Sequence, residues 1–99
     1  MNQNILDQIE YPKSGILSKE ILKNKKTDVT LFCMAQKTTL SEHTSTQAGF
    51  VYVLDGSGTF TLVGKKIDML PGVLIYIKEN EIHSLKANKN TSFLLTLIK

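Results

Sequence analysis

Phe50-Val51-Tyr52-Val53-Leu54-Asp55-Gly56-Ser57-Gly58-Thr59-Phe60-Thr61-Leu62-Val63 is the stretch that decides the fold. Side chains alternate along an extended chain, so Val51 and Val53 face one way and Phe50, Tyr52 and Leu54 the other. Branched and aromatic residues at this density favour a strand. Asp55-Gly56-Ser57-Gly58 then interrupts the run with residues that tolerate turn conformations, and reads as a hairpin turn into the next strand. No helix is expected to follow it. The loop therefore aims no helix N-terminus at a phosphate, and a phosphate-cradling role is excluded.

Outward from this stretch the same texture repeats. Short apolar runs fall at GILSKEIL (15–22), VTLFCMAQ (29–36), KIDML (66–70), VLIYI (73–77), IHSLKA (82–87) and SFLLTLI (92–98). Between them stand NKKTD, Gly64-Lys65, Pro71-Gly72, KENE and NKN, which are turn formers. Strands at this spacing without a long amphipathic helix predict a sandwich or a barrel. Ile5 and Ile9 lie four apart and predict one short helical turn at the N-terminus. The final run carries Phe93, Leu95 and Leu97 on one face against Leu94 and Ile98 on the other. A strand apolar on both faces needs a second sheet, a second subunit or both to cover it, which predicts a homodimer.

With 99 residues the chain has room for one domain, spanning 1–99, and 41% hydrophobic residues place it among ordinary globular proteins. All 12 cations are lysine, giving a net charge of +3. Without arginine the chain lacks the planar fork that reads phosphates and guanine edges. Lys19, Lys23, Lys25 and Lys26 cluster without interleaved aromatics and read as a solvated turn, so no nucleic-acid partner is expected. No apolar run approaches the roughly 20 residues that cross a bilayer, and the polar start MNQNILDQIE is no signal peptide, so no membrane association is expected. The single cysteine, Cys33, has no internal partner and suits a reducing compartment, the cytoplasm.

Residues 38–87 resemble the cupin superfamily. The first cupin motif has the core H-x-H-x(3,4)-E-x6-G, and within residues 38–56 this chain offers His43-Thr44-Ser45, Gly49 and Gly56 at matching intervals, with Tyr52-Val53-Leu54-Asp55-Gly56 in place of the family's Y-V-L-x-G. The second motif, G-D-x(4)-P-x-G-x-x-H, is met within residues 72–87 by Gly72, Val73, Lys78, Asn80 and His83. The resemblance implies an all-β, jelly-roll-like double-sheet barrel of six to eight strands, a hairpin between the motifs, a dimeric state and a pocket between the sheets.

It also implies where chemistry would sit. Cupins that hold a metal use two first-motif histidines, the glutamate and the second-motif histidine; here only His43 and His83 remain, with Ser45 and Gly49 at the other two positions. A neutral hydroxyl is a poor ligand for a divalent ion, and a catalytic site wants about three protein ligands. A third ligand would have to come from Cys33, Gln36, Glu42 or Gln47, a thiolate suiting zinc or copper and an amide or carboxylate suiting iron, manganese or nickel. Cys33 itself reads as a small strand hydrophobe. Three expectations follow: a pocket lined by His43, Ser45 and His83 that binds a small polar molecule, a metal-dependent enzyme using His43 and His83, or a dimerising interaction module.

Overall fold

The computed structural model describes residues 2–99. Among these residues nine strands form two antiparallel sheets. The larger contains β1 (Ile16–Lys23), β2 (Thr27–Met34), β4 (Gly49–Asp55), β7 (Leu74–Ile77) and β9 (Thr91–Ile98), in the order β1-β2-β9-β4-β7. The smaller contains β3 (Thr39–His43), β5 (Gly58–Leu62), β6 (Lys65–Met69) and β8 (His83–Ala87), in the order β3-β8-β5-β6. This is the double-sheet barrel that the motifs imply, with one strand more than their upper estimate. The additional strand is β3, a short edge strand on which only Leu40 is even partly buried, so it shows no apolar run. The predicted helical turn is a 3-10 turn, Ile5–Gln8, capped by Asn4, whose side chain accepts from the Leu6 N–H.

Asp55-Gly56-Ser57-Gly58 does not close a hairpin, because β4 pairs with β7 and β9 while β5 pairs with β6 and β8. The segment is the corner at which the chain crosses between sheets. Gly56 has φ +100, and a Cβ there would strike Asn90 O and the backbone of Thr91. Only glycine tolerates both conditions. The hairpin between the motifs is β5–β6, closed by Val63 and Gly64, both at positive φ as a two-residue type I′ turn requires.

The core lies between the sheets. On the large sheet Phe32, Phe93 and Val53 are neighbours across three strands, with Val51, Ile75 and Leu95 in the next row. Phe32 and Phe93 stack at 5.3 Å. Phe60, Met69, Leu85 and Ala87 of the small sheet face them. Phe60 is fully buried and contributes about 2–3 kcal/mol by its transfer from water.

The outer face of the large sheet is divided. Over β2 and β9 it is covered by the N-terminal segment, and Leu31, Cys33 and Ser92 are buried there. The Tyr11 hydroxyl donates to Asp55 Oδ2 (2.7 Å) and lies 3.1 Å from Ser92 Oγ, while Lys19 Nζ donates to Gln8 O (2.9 Å). Burial pushes the Tyr11 phenol up to about 12, with the Asp55 carboxylate adding to the shift and the Ser92 contact opposing it. Over β4 and β7 nothing among the described residues covers the face: Tyr52 is 42% exposed, Leu74 60% and Tyr76 47%.

Candidate functional site

Two loops close one end of the barrel, residues 44–48 between β3 and β4 and residues 78–82 between β7 and β8. The Asn80 N–H donates to Ser45 O (2.7 Å) and ties them together. Asn80 sits at φ 63, a left-handed conformation that asparagine tolerates better than most residues. The Lys78 N–H donates to Glu81 Oε1 (2.8 Å), so the second loop is also closed on itself.

Both histidines stand at this end, and a bulge brings them together. Leu40 pairs with Leu85 and His43 with His83, so β3 runs one residue longer than β8 between the two pairs. Strict alternation from the inward Leu40 would send Glu42 into the barrel and His43 out. The extra residue reverses this, a recurrent use of β-bulges beside functional sites. The two rings meet edge to face with centroids 4.2 Å apart. Phe60 lies nearly parallel to His83 at 5.7 Å and backs it from the core side. His83 is buried, His43 exposed at the rim.

Each ring is anchored through the same nitrogen. His43 Nδ1 is 2.8 Å from Ser41 O, and His83 Nδ1 is 2.9 Å from Glu81 O. A carbonyl only accepts, so each Nδ1 carries the proton, and in the neutral ring each Nε2 is left with a bare lone pair. Ser45 Oγ accepts from the Gln47 N–H (3.2 Å), which leaves the hydroxyl proton free to donate.

A cavity of about 160 Å³ opens between the sheets here, lined by His43, His83, Ser45, Gln47, Gly49, Ile77, Leu95 and Leu97. A second, of about 80 Å³, shares His43, His83, Ile77 and Leu95 and is otherwise walled by core residues such as Phe32, Phe60 and Phe93. No lining residue of either cavity carries a fixed charge. Asp28, which pairs opposite Leu97, is held by Lys99 Nζ at 3.1 Å.

The structure thus gathers His43, Ser45, His83 and Gln47 around one space. It separates the other residues weighed as a third ligand. Cys33 is buried on the opposite face of β2, in register with Ser92 under the N-terminal segment. Gln36 is exposed, its N–H donating to Asn90 Oδ1 (2.9 Å). Glu42 is turned outward by the bulge. The sequence reading does not name the apolar wall formed by Ile77, Leu95 and Leu97, although the alternation along 93–97 carries its signal. A larger depression of about 520 Å³ lies elsewhere, on the outer face of the small sheet, where Thr39, Thr59, Thr61, Ser84, Lys66 and Lys86 present an ordinary solvated strand surface.

These residues do not fit the divalent-metal centre that the motifs imply. Among the described residues no cluster of three His, Cys, Asp or Glu forms. The position of the missing carboxylate is also closed: a Cβ built on Gly49 would lie 2.5 Å from Thr96 O and 3.0 Å from Leu97 Cδ2. No glutamate enters there unless β4 and β9 move apart.

Comparison with known proteins agrees with the architecture. The family model described as "Cupin domain" matches residues 30–99. An HTH-type transcriptional activator RhaS from Mannheimia succiniciproducens is 33% identical over 69 residues, which is 70% of this chain and 26% of that protein. The chain therefore spans about a quarter of the length of the curated relative it matches. Among solved structures, a cupin 2 conserved barrel domain protein from Leptotrichia buccalis superposes with a TM-score of 0.90 at 26% identity, covering 98% of this chain and 47% of the other. The conserved SPY1581 protein of unknown function from Streptococcus pyogenes superposes at 0.89 with 18% identity, covering 100% and 87%. The motif pair, the two-sheet barrel and a family model matching 70 consecutive residues agree: the chain belongs to the cupin domain family.

Proposed function

We propose that this chain is a ligand-binding cupin module whose occupant is a small molecule held at the His43–His83 end of the barrel. One observation carries the reading: a cavity with an apolar wall of Ile77, Leu95 and Leu97 is also lined by two imidazoles, a hydroxyl and a carboxamide. That is the usual anatomy of a small-molecule site, and its 160 Å³ is below the range for drug-sized ligands, so the occupant is smaller than those. The similarity to part of a transcriptional activator supports a role in which occupancy is read out by another domain or partner rather than turned over.

The reading includes a homodimer. The chain exposes 6154 Å², against roughly 5,700 Å² for a folded monomer of its mass, and Tyr52, Leu74 and Tyr76 form an uncovered apolar ridge. A second copy laid on the ridge would cover it. The lone unpaired Cys33 supports residence in the cytoplasm.

The test combines elemental analysis of the purified protein with thermal shifts against a metabolite library. A ligand at a hundred times its Kd adds about 2.7 kcal/mol, a rise on the order of 10 °C or more for a domain of this size. Such a rise, lost in His83→Ala, is expected. About one metal per chain, lost in both His43→Ala and His83→Ala, would instead favour the metal-dependent enzyme and overturn this reading.

A further inference from the structure

Both histidines are tied down through Nδ1, and this decides what the cavity can recognise. The Ser41 and Glu81 carbonyls fix the proton on Nδ1 of His43 and His83, so in the neutral rings the nitrogen left for a ligand, Nε2, is an acceptor and not a donor, and both rings line the cavity. An anion placed there meets two lone pairs, and the Ser45 hydroxyl and Gln47 carboxamide, though donors, supply no countercharge. A cation meets acceptors but no countercharge, since neither cavity is lined by Asp or Glu and the Asp28 carboxylate is held by Lys99. An uncharged hydroxyl or amide N–H donor finds what it needs. Two such donors on adjacent atoms suit rings whose centroids are 4.2 Å apart. The Ser45 hydroxyl, which already accepts from the Gln47 N–H, has its own proton left for a ligand oxygen. Behind the rings the wall is Ile77, Leu95, Leu97 and Phe60, which suits a carbon body.

We propose that the cavity selects uncharged small molecules carrying two neighbouring hydroxyl-type donors on an apolar body, and discriminates against carboxylates and ammonium ions of the same shape. The inference rests on the reading of the cavity as a ligand site and adds the chemical class of the ligand. Burying an unpaired charge costs far more than burying a hydroxyl that finds an acceptor, so the discrimination reaches tenfold or more.

The experiment uses the whole chain, labelled with ¹⁵N, at pH 8, where imidazole side chains are ordinarily neutral. Long-range ¹H–¹⁵N spectra report which nitrogen of each ring carries the proton. The same sample is titrated with trans-1,2-cyclohexanediol, cyclohexanecarboxylate and cyclohexylammonium, three probes with one carbon ring. Expected are Nδ1–H tautomers for both histidines, saturable shifts of both Nε2 resonances with the diol, and binding of the two ions at least tenfold weaker. His43→Phe keeps a ring at the exposed rim but removes one acceptor, and should weaken the diol about tenfold while the fold is retained. An Nε2–H tautomer in either ring would overturn the proposal. So would an ion binding as tightly as the diol, although the cavity would then still stand as a ligand site. One equivalent of Zn²⁺ that holds both rings and expels the diol would overturn it as well. Silence from all three probes would remove both the selectivity and the ligand site beneath it.

Discussion

Gly49→Ala adds a single methyl group, and the sign of its effect tests the argument about the lost carboxylate. Gly49 lies in β4, paired with Leu97 of β9 on one side and Ile77 of β7 on the other. Its φ is not in the left-handed region, so alanine meets no backbone penalty there. If the new Cβ had room, the substitution would stabilise the protein by about 0.4–1 kcal/mol, because alanine lowers the entropy of the unfolded chain. The room is absent: the Cβ would sit 2.5 Å from Thr96 O, closer than a real Cβ approaches an oxygen, and 3.0 Å from Leu97 Cδ2. Leu97 Cδ2 can swing away, but Thr96 O is backbone in a central strand. Forcing β4 and β9 apart costs about 1–3 kcal/mol, as overpacking elsewhere does. For a domain of this size that lowers Tm by roughly 5–20 °C. Differential scanning calorimetry of the two proteins under one buffer measures it. A Tm equal to or above that of the parent would refute the reasoning and reopen Gly49 as a place where a carboxylate fits.

Other expectations follow from geometry already described. Val63→Asn should stabilise by about 1 kcal/mol, because a β-branched residue at φ 48 is strained and asparagine is the preferred partner of Gly64 in a type I′ turn; urea denaturation with an unchanged m-value checks it. Phe60→Ala removes a fully buried ring that also backs His83, and should cost about 3–5 kcal/mol. Its urea midpoint should fall accordingly, and a loss under 1 kcal/mol would mean that the core collapses around the gap. Tyr11 is held protonated in the fold above its ordinary value of 10, so its contribution to stability is present below pH 10 and declines as pH rises through about 12. Absorbance of tyrosinate against pH should show one component near 12 that vanishes in Tyr11→Phe. On the proposal that a second copy covers the exposed ridge, sedimentation should show a dimer for the parent and, for Leu74→Lys combined with Tyr76→Lys, a monomer that retains its circular dichroism; a monomeric parent, or a dimer unchanged by the two charges, would refute that placement.

Most of the barrel was legible because its strands announce themselves by alternation. Val51 and Val53 are buried while Tyr52 is exposed, as period two demands, and Phe93 and Leu95 face the core as expected. What alternation cannot reveal is where it breaks. The bulge in β3 comes from one unpaired residue between Leu40 and His43, in a strand with no apolar run to mark it. Counting from Leu40 therefore aims Glu42 inward, and only pairing with β8 corrects it. The Asp55–Gly58 corner misleads for a related reason: the residues that permit a tight turn are the same whether the chain returns to its own sheet or crosses to the other. Motif spacing placed His43, Ser45 and His83 together without any knowledge of the bulge, since the spacing already contains it. The cover that the N-terminal segment lays over Leu31 and Cys33 had no sequence signal, because it depends on a contact between Tyr11 and residues 44 and 81 positions away.

The placement of β9 has a kinetic side. Residues 91–98 occupy the middle of the five-stranded sheet, with β2 on one flank and β4 on the other. Until that segment leaves the ribosome, β1–β2 is an isolated hairpin and β4 has only β7 beside it. Phe32, Val51 and Val53 then lie under no completed sheet, and two strand edges that will never face water in the folded protein are open. Pairing across such sequence separations is slow and exposes edges to other chains. The four strands of the smaller sheet all precede residue 88 and can pair without β9, but the five-stranded sheet cannot close before it, so a nascent chain stalled before residue 91 should present an apolar, edge-exposed half-barrel to whatever chaperone meets it.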